Sequence, residues 1–163
     1  MLRPAGDTET LRRVYGSFPT GVIALAALRG GQPVGLAASS FTAVSLAPPL
    51  VSVSIQLTST TWPLLADRPR LGLSVLSATQ HRACRQLAAK DGDRFAGLDW
   101  FTGQDGAVLL HSATAWMTCT IDTTVPAGDH VLVVLRVHEL GSRPDSPLVF
   151  HGSVFHRLQP VES

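Results

Sequence analysis

The chain has 163 residues, of which 15% are charged, with 13 Lys and Arg against 12 Asp and Glu. That near-neutral balance excludes nucleic-acid binding through a basic surface and an acidic disordered tail. Two cysteines, Cys84 and Cys119, are too few for a disulfide framework and stand in no zinc-like spacing, so they are expected to be reduced thiols of a cytoplasmic protein. The length predicts one domain over residues 1–163. The opening residues Met1-Leu2-Arg3-Pro4 lack the apolar core of a signal peptide.

In chain order, residues 8–15 predict a helix with Thr8 as its N-cap. Residues 21–28 (GVIALAAL) predict a strand, Arg29-Gly30-Gly31-Gln32 a turn, and residues 34–40 the returning strand of a hairpin. Residues 50–57 alternate, with Val51, Val53, Ile55 and Leu57 on one face and Ser52, Ser54 and Gln56 on the other. Residues 59–65 predict a short helix, with a hydroxyl cap and Pro63 in its first turn. Residues 71–76 form a further strand. Residues 79–89 predict a helix with Ala83, Cys84, Leu87 and Ala88 inside and His81, Arg82, Arg85 and Lys90 outside.

Residues 113–122 alternate again, setting Ala115, Met117, Cys119 and Ile121 against Thr114, Trp116, Thr118 and Thr120. Residues 126–129 predict a turn. Residues 130–140 predict a long strand, apolar on both faces from Val131 to Leu135, as expected of a strand covered on both sides. Residues 148–150 and 154–158 close the chain as strands. So many short strands with glycine and proline turns predict a mainly β fold, a closed barrel with a few short helices.

From Gly30 to Ala66, 37 residues carry no Asp, Glu, Lys or Arg. Pro33, Pro48, Pro49 and Pro63 exclude a membrane helix there. A stretch this poor in charge predicts cover by another subunit or by a large ligand.

The familiar chemical motifs are missing: there is no G-x-G-x-x-G, no P-loop and no G-x-S-x-G. His151 and His156, five apart, are expected on opposite faces of a strand, which argues against a shared metal. What remains are hydroxyl clusters. Ala37-Ala38-Ser39-Ser40 ends a strand with small residues that let a flat ligand approach the backbone. Thr58-Ser59-Thr60-Thr61 offers hydroxyls and free N–H groups to a phosphate, with an ordinary helix cap as the plain alternative. Gly92-Asp93-Arg94-Phe95 sets a cation beside an aromatic ring, and Gly128-Asp129-His130 puts a titratable ring at a turn. For each of these, a solvated loop or a structural histidine stays open.

Over nearly its whole length the chain resembles the flavin reductase domain family, the FMN-binding split barrels that include reductase components of two-component flavin-dependent monooxygenases. The motifs that carry the resemblance begin with Tyr15-Gly16-Ser17-Phe18-Pro19-Thr20-Gly21-Val22 and Gly35-Leu36-Ala37-Ala38-Ser39-Ser40-Phe41-Thr42-Ala43-Val44-Ser45-Leu46. Pro48-Pro49-Leu50-Val51, Gly92-Asp93-Arg94-Phe95, Ala127-Gly128-Asp129-His130 and Pro147-Leu148-Val149-Phe150-His151-Gly152-Ser153-Val154-Phe155 follow in the same order.

The resemblance implies a homodimeric, Greek-key split β-barrel that reduces FMN or FAD with NADH or NADPH and hands reduced flavin to a separate monooxygenase. It implies flavin contacts from Ala37, Ala38, Ser39, Ser40, Ser54, Ser59, Thr60, Thr61, Arg94 and Phe95. His130 and Phe155 are implied on the nicotinamide side. Phe155 stands where the family often has a tyrosine, and Ala47 and His81 stand where it often has acidic residues. The absence of a basic cluster for a 2′-phosphate favours NADH. Hydride transfer between two bound rings needs positioning and no acid–base dyad, in keeping with the missing catalytic motifs. A flavin-binding carrier or sensor without reductase activity is the alternative, and the Gly-Asp-His motif favours the enzyme. With no cation between residues 30 and 66, flavin is expected to exchange readily.

Overall fold

The computed structural model describes residues 1–162. The elements run α1 (Thr8–Tyr15), β1 (Thr20–Gly21), β2 (Ile23–Arg29), β3 (Gln32–Ala38), β4 (Thr42–Leu46), β5 (Pro49–Gln56), α2 (Trp62–Leu65), β6 (Leu71–Val75) and α3 (His81–Leu87). They continue with β7 (Trp100–Thr102), a 3-10 turn (Gln104–Gly106), β8 (Val108–Leu110), β9 (Ala115–Ala127), β10 (His130–Ser142), β11 (Leu148–His151) and β12 (Val154–Arg157). Seven strands make one antiparallel sheet in the order β3-β2-β6-β9-β10-β5-β4. A three-stranded sheet, β1-β11-β12, and the β7-β8 pair complete the strands.

The β2–β3 hairpin closes as expected through Gly30 and Gly31, both left-handed at φ +59° and +77°, with Arg29 opposite Gln32. Glycine adopts that region without a Cβ clash. Along β5 the alternation holds for Val51, Val53 and Ile55, which are buried, whereas Leu57 lies past the strand end and is exposed. Val53, Val133, Leu25, Leu73 and Cys119 meet in the core that the large sheet wraps. A second core on the other side of β2 joins Val22, Ala24 and Ala26 to Leu87 of α3, Phe95 and Val108. β2 is thus covered on both faces, which explains its unbroken apolar run. At Gly72 of β6 a Cβ would collide with the backbone of Val108, so only glycine lets β8 cross so closely.

Several expectations are corrected. Asp7 caps α1, accepting from the Thr10 amide at 2.7 Å, because its carboxylate reaches the amide three residues on while Thr8 is already helical. α3 starts later than expected, because Gln80 turns its side chain back to accept from the Ser77 amide at 2.9 Å. β9 runs through the expected turn to Ala127, leaving only Gly128-Asp129 as the loop. Pro126 is tolerated there because β6 pairs with β9 only along Ala115–Cys119, so the far end of β9 is an edge. His151 and His156 do not lie on one strand: the turn at Gly152-Ser153 folds them into a hairpin with ring centroids 5.8 Å apart. β4, β7 and β8 were not expected at all. The ladder of the large sheet ends at β3 and β4, with no backbone pairing between those two strands among the described residues.

Candidate functional site

The chain just past β3 meets β5 through one side chain. Ser40 Oγ accepts from the Ser54 amide and donates to the Ser54 carbonyl, both at 2.9 Å. This hydroxyl imitates a backbone pairing where the two segments diverge. Beside it opens a cavity of about 820 Å³, within the range of small-molecule sites. Its walls include Ala37, Ala38, Ser39 and Ser40 after β3, Ser54 on β5, Ser59, Thr60 and Thr61 before α2, then Arg94 and His130. Ten of the twelve residues singled out in the sequence therefore line one space.

The turn before α2 is set by its own hydroxyls. Ser59 Oγ accepts from the Trp62 amide at 3.1 Å, so it caps the helix as the plain alternative held. Thr61 is buried, and its Oγ1 accepts from Arg94 Nη1 at 2.8 Å. Each of these hydroxyls accepts within the protein and keeps its own proton to donate into the cavity. Arg94 also donates from Nε to the Ala89 carbonyl at 2.8 Å and from Nη1 to the Gly35 carbonyl at 3.2 Å. One guanidinium thereby ties the loop after α3, the strand β3 and the turn before α2 together. Its Nη2 makes no hydrogen bond among the described residues.

The cavity also holds residues that the sequence did not single out for it. Lys90 follows α3, Leu87 ends that helix and Ala88 caps it, Leu36 and Ile55 form apolar wall, and Gln56 ends β5; Thr58, the first hydroxyl of the expected cluster, lines the cavity as well. Lys90 and Arg94 supply the cations that residues 30–66 lack, which removes the ground on which weak phosphate binding was expected. Lys90 gave no local signal beyond being a charged residue just past an amphipathic helix.

At the lip, His130 starts β10 opposite Gln56. Its Nδ1 lies 2.6 Å from Asp129 Oδ1, which fixes the ring, and its side chain is 36% exposed. That hydrogen bond and the imidazole beside it hold the Asp129 carboxyl below its ordinary value.

Two expected residues fall elsewhere. Phe95 is 6% exposed and belongs to the second core. It is wedged beneath β3, where a Cβ on Gly35 would meet its ring at 2.9 Å. Phe155 lies in a separate cleft with His81 and Arg85 and does not join His130.

A family model for the flavin reductase like domain matches residues 15–159. The chain belongs to the flavin reductase family. A flavin reductase of Pseudomonas putida is 37% identical over 153 residues, which cover 93% of this chain and 90% of that protein. An NADH-dependent FAD reductase of Streptomyces globisporus is 36% identical over 160 residues, 94% of this chain and 87% of its own. The solved NADH:FAD oxidoreductase of Streptomyces globisporus C-1027, in complex with NAD and FAD fragments, superposes with a TM-score of 0.91 at 36% identity, covering 98% of each chain.

The cavity of this flavin reductase family member suits a flavin by the chemistry of its walls. Leu36, Ala37, Ala38 and Ile55 offer apolar, low-profile surface to a flat ring system. Hydroxyls of Ser59, Thr60 and Thr61, with Lys90 and Arg94, offer donors and positive charge to an anionic tail. Among the described residues no three His, Cys, Asp or Glu side chains gather as a metal site, and no helix is long and apolar enough to cross a membrane.

Proposed function

We propose that this protein is an NAD(P)H:flavin oxidoreductase that reduces FMN or FAD and supplies the reduced flavin to a separate flavin-dependent monooxygenase. The observation that carries the reading is the single cavity in which small-residue backbone, hydroxyl donors, two cations and His130 converge. Ala37 and Ala38 give the flat ring access to the β3 backbone. Ser59, Thr60 and Thr61 donate to the phosphate, while Lys90 and Arg94 offset its charge. A flavin held there supplies a ring system that takes two electrons from a reduced nicotinamide. Asp129 holds the His130 ring by its Nδ1, which leaves Nε2 free to contact a nicotinamide. The apolar walls exclude water from the ring face.

The fold reading that goes with this function is a split barrel, one domain per chain, working as a homodimer. Its support is the charge-free segment 30–66 together with exposed Val44 and Leu46 on β4 and Val125 on β9. Obligate interfaces are large and depleted in charge. Sedimentation equilibrium giving only the 17.3 kDa monomer at micromolar concentration would refute the dimer.

The deciding assay is NADH oxidation with and without added FMN or FAD. Flavin-dependent oxidation is expected. Tight flavin binding with no NADH oxidation would assign a carrier or sensor instead.

A further inference from the structure

The β11–β12 hairpin carries a pair of side chains that the flavin cavity does not use. His151 and His156 stand on its two strands, with His151 opposite Val154 and His156 opposite Val149. Register partners share a face and side chains alternate along a strand, so both imidazoles lie on one face of the hairpin, across its diagonal. Phe150 and Phe155 take the other face, where they pack against the second core with their ring centroids 5.4 Å apart.

The hairpin fixes the two histidines in this relation. Its loop is Gly152-Ser153, both residues left-handed at φ +56° and +64°, the backbone of the tightest hairpin turns. The phenylalanine pair anchors the strands from beneath, and a slip of register would turn Phe155 out of the core. The Gly152 amide also donates to the Gly16 carbonyl at 3.1 Å, tying the turn to the end of α1. The imidazole centroids are 5.8 Å apart, with the ring planes inclined by 58°.

Both rings are exposed and uncommitted. Among the described residues neither has a hydrogen-bond or ion-pair partner, whereas His111, His130 and His138 have Asp99, Asp129 and Thr120. The hairpin's own cation, Arg157, lies opposite Leu148 and so shares the face of Phe155, over whose ring Arg85 also sits. Neither strand carries a carboxylate or a thiol. What the exposed face offers is two imidazole nitrogens. Zn–N bonds of about 2.0–2.1 Å place the centroids of two imidazoles on one tetrahedral ion about 5 Å apart. Rotation of the two side chains closes the observed spacing to that figure with the strands in place.

We propose that the β11–β12 hairpin binds one divalent transition-metal ion, with His151 and His156 as its two protein ligands and water in the remaining positions. An all-nitrogen pair suits Zn²⁺ and its late first-row neighbours and does not suit Mg²⁺ or Ca²⁺, which require oxygen. The ion cross-links the two strands on the side opposite the phenylalanines. With two protein ligands in place of the four of a structural zinc centre, it exchanges with solution. No residue of the hairpin lines the flavin cavity, so the ion binds whether or not a flavin is present.

The test uses the full chain free of any affinity tag, with Zn²⁺ as the probe in a buffer that does not chelate it. Calorimetric titration is expected to show one Zn²⁺ per chain. His151→Ala and His156→Ala are each expected to weaken binding at least tenfold with the melting temperature of the metal-free protein unchanged. His111→Ala, on the far side of the fold from the pair in sequence and already paired with Asp99, is expected to bind as wild type does. In carbon–proton spectra the ring resonances of His151 and His156 should shift together and saturate at one equivalent, while that of His138 holds. If an alanine variant does not fold, His151→Gln and His156→Gln are read in the same way. A wild-type chain that binds no Zn²⁺, or hairpin variants that bind it equally well, overturns the site. Binding weakened as much by His111→Ala, or a shift confined to one of the two rings, overturns its assignment to this pair.

Discussion

Replacing Arg94 by alanine tests how the cavity is held open. The substitution removes three hydrogen bonds at once, to the Ala89 and Gly35 carbonyls and to Thr61 Oγ1. Bonds from a charged donor contribute about 1.5–3 kcal/mol each. Arg94 is half-buried, and the carbonyls it leaves regain some water, so about 1 kcal/mol per bond is the better figure, or about 3 kcal/mol in all. For a domain of this size each kcal/mol moves the melting temperature by about 2–4 °C, which gives a fall of about 6–12 °C. Flavin affinity is expected to fall at least tenfold, because β3 and the turn before α2 lose their tie and the phosphate loses a cation. Arg94→Lys keeps the charge and loses the fork, so it recovers part of the affinity and little of the stability. Differential scanning calorimetry beside flavin fluorescence titration measures both. An Arg94→Ala protein melting within about 2 °C of wild type, with flavin affinity unchanged, would refute Arg94 as the organiser of the site.

Gly72→Ala is expected to yield no folded protein, since its Cβ would come within 2.0 Å of the Val108 backbone, whereas Gly35→Ala, crowding Ala26, the Leu25 carbonyl and Phe95 at 2.8–2.9 Å, costs about 3 kcal/mol and still folds; a soluble, normally melting Gly72→Ala protein contradicts the close crossing. His130→Ala is expected to lower kcat/KM for NADH between about 2-fold and 100-fold with flavin affinity little changed; equal kinetics in a folded variant removes His130 from the site. Because its hydrogen bond with His130 depresses the Asp129 carboxyl, the pair is intact above the ordinary value of 3.8 and is lost as pH falls through the lower, folded value. The carboxyl carbon shift of Asp129 should therefore titrate below 3.8 in wild type and return toward it in His130→Ala. Burial pushes the Cys119 thiol up to about 12 and raises Cys84 as well, so neither should react with a thiol reagent at pH 8 until the protein is unfolded; rapid labelling of the native chain would count against that packing.

The elements that were legible in the sequence are those whose local chemistry decides their form. The glycine pair at 30–31 dictates the β2–β3 hairpin, and the alternation of Val51, Val53 and Ile55 dictates β5 and its buried face. β4, β7 and β8 were missed because they owe their form to neighbours. β4 is five residues long, with its apolar Val44 and Leu46 exposed and its register on β5 slipping between Ala43 and Ser45, and it exists by pairing with β5. β7 and β8 are three residues each and pair only with one another. At the site, the hydroxyl clusters could be placed because cap and turn chemistry is local. Lys90 joined them only through the packing of α3, which no spacing encodes. Phe95 was misplaced for a related reason: an aromatic beside an arginine looks the same in a sequence whether it faces a ligand or fills the space left by Gly35.

Lys90, described above as a cavity wall, is also the only lysine in the chain. Apart from the N-terminal amine, every reagent that seeks a primary amine therefore has one target, and that target lines the cavity. Reductive methylation with a carbon-13 label would place a single side-chain reporter there, and its resonance would follow occupancy of the cavity directly. The same economy carries a hazard. Coupling the protein to an amine-reactive surface, or dyeing it with a succinimidyl ester, has only the N-terminal amine and this cavity lysine to modify, so an inactive immobilised sample would reflect attachment at the site and leave the protein's competence unmeasured.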